Sequence, residues 1–243
     1  MHSENLLLNR LDPATFRKVA KSLINVRLER RQELAHPHEA VQRVYFPYSG
    51  VISCVVELPG GGAIETGMIG RDGHWGASQA MDDKVSLNAV IVQVDGSAAV
   101  MDADRLKLLA TDLPEFRGLL LRYEQFFTAQ VQQTAACNAV HSIEPKLAKW
   151  LLRMYELCGS VFPITQEFMA QMMGVRRTSV TGHAAELQKS GAISYSRGQI
   201  TVTDPGLLKS RSCECSSELH SHFERLFGPE EHRQVDAIYV SDA

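Results

Sequence analysis

No apolar run in this 243-residue sequence approaches the ~18 residues that a membrane-spanning helix needs. The opening segment carries Glu4, Arg10 and Asp12 where a signal peptide requires an unbroken apolar stretch, so no membrane partner and no secretion are expected. Cysteine is scarce: five residues, an odd number, argue against a disulfide framework and for reduced thiols in a cytoplasm. Catalytic patterns are missing too. There is no Ser-His-Asp spacing, no His-Glu-x-x-His, no Walker loop and no suggestive pair of acids, so an enzyme is not expected. Repeats and low-complexity tracts are absent.

What is present is ordinary in bulk and uneven in detail. A hydrophobic fraction of 44% is enough to bury a core in one or two domains. The net charge of −3 hides an asymmetry: His141 to Arg211 holds nine Lys/Arg against five Asp/Glu, a local +4, which leaves −7 for the rest. An anionic partner is therefore expected on the C-terminal third.

Residues 5–30 read as a helical opening, with Asp12 as N-cap and Pro13 at the first helical position. Between Arg43 and Met101 the texture changes to short apolar runs (Val44–Phe46, Val51–Val56, Ala89–Val94) separated by glycines, including Gly60, Gly61 and Gly62. Many short strands with glycine turns predict a β-sandwich or barrel. Gly67, Gly70, Gly73 and Gly76 are spaced by threes with no amphipathic helix directly after them, which speaks against dinucleotide binding. A short helix is expected near Asp104–Ala110. A long one follows from Leu113-Pro114 to about Asn138, with a stripe through Leu119, Leu120, Tyr123, Phe126, Phe127, Gln130, Val131 and Thr134. At roughly 37 Å it exceeds what one small domain needs, so pairing with a second copy through Leu120, Tyr123, Phe127, Val131 and Thr134 is expected.

Ser142 then caps a further helix. Thr165 caps another, Gly174 stands at a sharp turn, and Val180, Ala184 and Leu187 give the buried face of the next helix. This is the sequence form of a helix-turn-helix, whose second helix enters a DNA major groove. The residues placed for DNA are Thr165, Gln166, Arg176, Arg177, Thr178, Ser179, Thr181, Gly182 and His183. Arginine can fork onto guanine O6 and N7, and threonine can touch a thymine methyl. Ala192 to Val202 alternates around Arg197-Gly198 and reads as a wing that brings Arg197 to phosphate. The competing readings are a helical pair that serves only for packing and a small-molecule-binding module whose helix-turn-helix makes protein contacts only.

Together these segments resemble the cyclic-AMP receptor protein/FNR family of transcription regulators across roughly residues 5–225. The signature runs through Leu147–Leu152, Thr165-Gln166-Glu167, Ala170, Gly174 to Arg177, Val180, Leu187 and Gly191-Ala192-Ile193. The resemblance implies an α+β fold: a cyclic-nucleotide-binding-like β-barrel (a double-stranded β-helix) over 1–112, a dimerisation helix over 113–140, and a winged helix-turn-helix over 141–228. A disordered tail is expected over 229–243. It further implies a homodimer on a two-fold symmetric DNA site, with RNA polymerase as partner if the protein activates. Arg177 matches the family's leading arginine. The following glutamate and second arginine are replaced by Thr178 and Gly182, so a different half-site is expected.

The family's cyclic-phosphate turn aligns with Gly67 to Leu87, which makes Gly70, Arg71, Asp72, Gly73 and Ser86 the effector-pocket candidates. Its Arg-Ser pair is missing, with Val85-Ser86 in its place, and a phosphate without a bidentate cation loses most of its affinity. Arg71 or Lys84 are the available substitutes, and modulation by an unknown signal is the expectation. Residues 1–50 hold no cysteine, which excludes the family's N-terminal iron–sulfur site. Cys213-x-Cys215-x4-His220-x-His222 is a poor start for zinc, so no metal and no cofactor are expected, and Cys213 and Cys215 read as thiols capping a last helix or as a redox pair. Cys54, Cys137 and Cys158 read as core.

Overall fold

A computed structural model describes residues 3–59, 62–82 and 85–228; Gly60, Gly61, Asp83, Lys84 and the tail from 229 lie outside them. The elements in order are α1 (Pro13–Ala20), β1 (Ile24–Leu28), β2 (Glu33–Ala35), β3 (Arg43–Glu57), β4 (Ala63–Ile69), α2 (Ala77–Met81), β5 (Ala89–Asp102), α3 (Ala103–Asp112) and α4 (Pro114–Val140). They continue with α5 (Ile143–Cys158), β6 (Val161–Pro163), α6 (Gln166–Met172), α7 (Arg177–Lys189), β7 (Ile193–Ser196), β8 (Gln199–Val202), α8 (Pro205–Arg211) and α9 (Cys215–Phe227).

The helical opening is shorter than expected. Asp12 does cap α1, accepting from the Ala14 and Thr15 amides at 2.7 and 3.1 Å. Beyond Ala20, however, Ile24-Asn25-Val26-Arg27-Leu28 alternates with a period of two and pairs as a strand with β5, from Ile24↔Val100 to Leu28↔Gly96. The first sheet runs β1-β5-β3-β4, all antiparallel, with β2 also on β5. Among the described residues its pairing path is open, so the expected closed barrel is a β-rich open sheet. Register shifts in β3 between Pro47 and Ile52 bend it.

One apolar cluster fills the inside of this sheet, built on Phe46, Ile52, Leu106, Phe116 and Tyr123. The long helix α4 lies across it and turns part of the stripe expected to face a second copy inward. Leu120 and Tyr123 are 0% and 1% exposed, sealed in the chain's own core, while Phe127, Val131 and Thr134 are half-buried. Tyr123 rests so close to Gly73 that a Cβ there would meet its ring at 2.0 Å. A second cluster joins Leu151, Phe162, Met169, Val180, Leu187 and Ile200 of the C-terminal part to Val51, Val55, Met68 and Val94 of the sheet. The helix-turn-helix unit thus packs against the opposite face of the same sheet.

Candidate functional site

The turn between α6 and α7 works as its sequence dictates. Gly174 adopts φ +63°, a conformation costly for any residue with a Cβ. Its amide donates to the Gln171 carbonyl, and the Val175 amide to that of Ala170. The Thr165 hydroxyl caps α6 by accepting from the Phe168 amide at 3.2 Å. Val180, Ala184 and Leu187 are buried, which leaves Arg176, Arg177, Thr178, Thr181 and Gly182 exposed on the opening turns of α7.

The exposed residues do not all stand equally free. Thr181 Oγ1 lies 2.7 Å from Gln166 Oε1 and 3.0 Å from the Arg177 carbonyl, so it ties α6 to α7. The Arg177 guanidinium lies 3.5 Å from Glu167, with both side chains about two-thirds exposed. Such a pair contributes little and yields readily to a nucleic-acid group. His183 is half-buried and turned towards Glu144 of α5 at 3.9 Å, where Arg211 also binds at 3.1 Å. Ser179 is half-buried. A side chain at Gly182 would meet nothing within 4 Å.

The wing is a two-residue hairpin, with Arg197 at φ +49° and Gly198 at φ +78°, both left-handed as its type of turn requires. Arg197 is exposed at its tip. The strand β6 pairs with β8 and widens the hairpin into a three-stranded sheet; Val161-Phe162-Pro163 is too short to announce itself as a strand.

A cavity of about 970 Å³ opens among β4, α4, α5 and α9. Of the effector candidates, Arg71 and Asp72 border it, and Gly70, Gly73 and Ser86 do not. Ser86 instead donates to the Asn88 carbonyl at 2.7 Å. The sequence reading missed the polar residues that matter most here: Glu65, Gln130, Trp150 and Arg153. Trp150 Nε1 donates to Glu65 at 2.8 Å and Arg153 pairs with Asp72 at 2.7 Å, so both bonds latch α5 onto the sheet. An arginine on the otherwise apolar face of α5, three residues after Trp150, was the available signal. Burial pushes the Glu65 carboxyl up to about 7, against the Ser53 and Trp150 hydrogen bonds and the Lys149 charge that favour ionisation.

The chain thus joins a β-rich sheet, crossed by a long helix, to a winged helix-turn-helix. Residues 145–211 match the model of the Crp-like helix-turn-helix domain. The chain is 22% identical over 210 residues to the CRP-like cAMP-activated global transcriptional regulator of Mycobacterium tuberculosis, covering 83% of this chain and 94% of that one. Among solved structures it is similar to the c-di-GMP responsive global regulator CLP of Xanthomonas campestris (14% identity, 79% and 99% covered, TM-score 0.64). It is also similar to a CRP/FNR family transcriptional regulator of Thermus thermophilus (19%, 80% and 98%, TM-score 0.62). Residues 145–211 are thus a Crp-like helix-turn-helix domain, and the chain as a whole is similar to CRP/FNR-type transcription regulators. No helix among the described residues is long and apolar enough to cross a membrane.

Proposed function

We propose that the protein is a cytoplasmic, homodimeric, sequence-specific DNA-binding regulator with a sensor part at 1–112, a dimer helix at 113–140 and a DNA-binding part at 141–228. The observation that carries this reading is the exposed cationic start of α7, Arg176 and Arg177, beside the exposed wing arginine Arg197. Thr165, Gln166, Thr178, Ser179, Thr181 and Gly182 flank it, with His183 set back. Contact with RNA polymerase belongs to the same reading if the protein activates.

Arg177→Ala is expected to cost about 1–3 kcal/mol on a selected duplex and to relax preference at one base pair per half-site. Arg197→Ala should instead weaken all duplexes alike and lower the salt slope by about 1. Competition titrations at several salt concentrations measure both. Equal losses on selected and random DNA for Arg177→Ala would make it a phosphate contact, and the absence of any salt-dependent complex would favour a module that makes protein contacts only.

The dimer face is supported by the exposed edge of α4. Leu121, Gln125, Thr128, Gln132, Ala135 and Ala139 alternate at spacings of four and three and are all exposed in the single chain. That is the spacing of a two-helix coiled-coil seam, with Leu121, Ala135 and Ala139 as its apolar members. Thr128→Glu with Ala135→Glu is expected to weaken self-association by at least about tenfold, since like charges meet across a two-fold seam. Sedimentation at several concentrations measures this, and a wild-type monomer refutes the dimer outright.

The signal is assigned to the cavity against α4 and α5. Asp72 Oδ1, Gln130 Nε2 and Arg153 Nε border it as buried polar atoms without a protein partner. Relatives named for different nucleotide signals share the fold, and the usual Arg-Ser pair is replaced here by Val85-Ser86.

A further inference from the structure

Cysteines 137, 213 and 215 form a small buried cluster of their own, away from the two main cores. Cys137 sits in the last turn of α4 and His141 at the junction with α5. Cys213 lies in the link after α8, and Cys215 begins α9. The three sulfurs and one ring nitrogen of His141 all lie within 4.8 Å of one another. Cys137 Sγ is 3.6 Å from Cys213 Sγ, and Cys215 Sγ is 3.6 Å from His141 Nδ1. A tetrahedral zinc ion with Zn–S near ~2.3 Å holds its ligand atoms about 3.7 Å apart. The two 3.6 Å separations are close to an edge of that tetrahedron, and the other pairs lie within 4.8 Å.

The fourth ligand is also oriented. The His141 amide donates to the Cys137 carbonyl at 3.0 Å, which fixes the residue one helical turn beyond the cysteine. Its other ring nitrogen, Nε2, lies 3.0 Å from Glu214 Oε1. A carboxylate on the far nitrogen of a histidine selects the tautomer that presents the near one to a metal. The residue between Cys213 and Cys215 thus has a use that the sequence spacing alone does not reveal. His220, by contrast, pairs with Glu224 on the surface, and neither it nor His222 joins the cluster.

We propose that Cys137, His141, Cys213 and Cys215 bind a single divalent metal ion, zinc by preference, in a closed tetrahedral site. Three thiolates and one imidazole with no open position suit zinc in a structural role. A multi-iron cluster would need its ligand sulfurs spread further apart. A disulfide between Cys137 and Cys213 would use two of the thiols and leave the Cys215–His141–Glu214 arrangement without purpose. The ion joins two segments more than seventy residues apart in sequence, the hinge between α4 and α5 and the start of α9. Since α9 folds back on α4 through the Phe223–Phe126 ring contact, the site staples the C-terminal helix to the link between the sheet and the helix-turn-helix unit. This holds whether or not the proposed DNA readout does.

The test uses the full chain, reduced, desalted and loaded with zinc or cobalt(II). Elemental analysis should find one zinc per chain. The cobalt form should show thiolate-to-metal charge transfer and the intense visible bands of a tetrahedral ion. Cys213→Ser and His141→Gln should each lose or reshape that spectrum, while Cys158→Ser, outside the cluster, should keep it. Stripping the zinc should lower Tm by roughly 10 °C. The wild-type cobalt spectrum reports the ligands even if a variant does not fold. Failure of the reduced protein to take up metal, an octahedral cobalt spectrum, or equal loss in Cys158→Ser overturns the proposal. A mass two hydrogens lighter that excludes zinc overturns it in favour of a disulfide. None of these readouts involves DNA, so the site and the DNA reading stand or fall separately.

Discussion

Arg153→Leu is expected to lower the unfolding free energy by about 3–5 kcal/mol, because it leaves the Asp72 carboxylate buried without its counter-charge. The two side chains are 16% and 9% exposed, and the Nη2–Oδ2 distance is 2.7 Å. Burial opposes the Arg153 charge, yet Asp72 at 2.7 Å and Glu156 at 3.5 Å outweigh it and hold the guanidinium pKa raised. For a chain of this size the loss corresponds to a fall in Tm of roughly 10 °C. Arg153→Leu combined with Asp72→Ala should recover most of it, since the pair's own net contribution is small once neither charge is stranded. Thermal melts of the two single variants and the double variant decide the matter. A single-variant loss below about 1 kcal/mol, the range of a solvated pair, would refute the latch. The functional corollary is that the single variant loosens α5 from the sheet, which limited proteolysis between Ser142 and Ser160 would reveal.

Stability is also expected to fall as pH rises from about 4.5 to about 7, by up to about 3 kcal/mol, through Glu65 alone. The sign follows from the direction of the shift. Burial raises the folded-state pKa from 4.5 to about 7, so across that window the folded protein binds a proton that the unfolded chain has released. Below the window both states are protonated and the group contributes no difference. Above it the fold carries a buried carboxylate. The local bonding agrees: the Ser53 hydroxyl has one proton but lies between Glu65 Oε2, at 2.7 Å, and Gln93 Oε1. A protonated Glu65 resolves this by donating to Ser53, which then donates to Gln93. Glu65→Gln reproduces that pattern, accepts from Trp150, and should abolish the slope while stabilising the protein at pH 8. Denaturant titrations between pH 5 and 8 test it, and a wild-type stability that rises across this window would contradict the assignment.

Much of the C-terminal part was legible because its structure is local. Gly174 needs a positive φ, Thr165 caps the helix before it, and Val180, Ala184 and Leu187 repeat at helical spacing. These requirements are met within a few residues of chain. The wing was legible for the same reason, since Arg197-Gly198 sets the turn and the alternation sets the faces. The opening was misread where helix signals ran out and Ile24–Leu28 switched to a period of two, a pattern that gains meaning only when β5 lies beside it. On α4 the sequence showed a long amphipathic helix but not which flank faced inward. Leu120 and Tyr123 went to the chain's own core, and Leu121, Thr128 and Ala135 stayed exposed on another side of the helix.

The cysteines draw the line most sharply. Sequence by itself determined the helix-turn-helix, the wing, the basic C-terminal third and the β-rich first half, because each depends on neighbours in the chain or on composition. Only the tertiary structure decided that Cys137 and His141 meet Cys213 and Cys215, that Glu65 and Asp72 receive Trp150 and Arg153, and that the first sheet stays open among the described residues. Those contacts join segments dozens of residues apart, and short-range spacing carries no record of them. They exist because α9 folds back on α4 and α5 docks on the sheet, and burying those faces is a property of the whole chain.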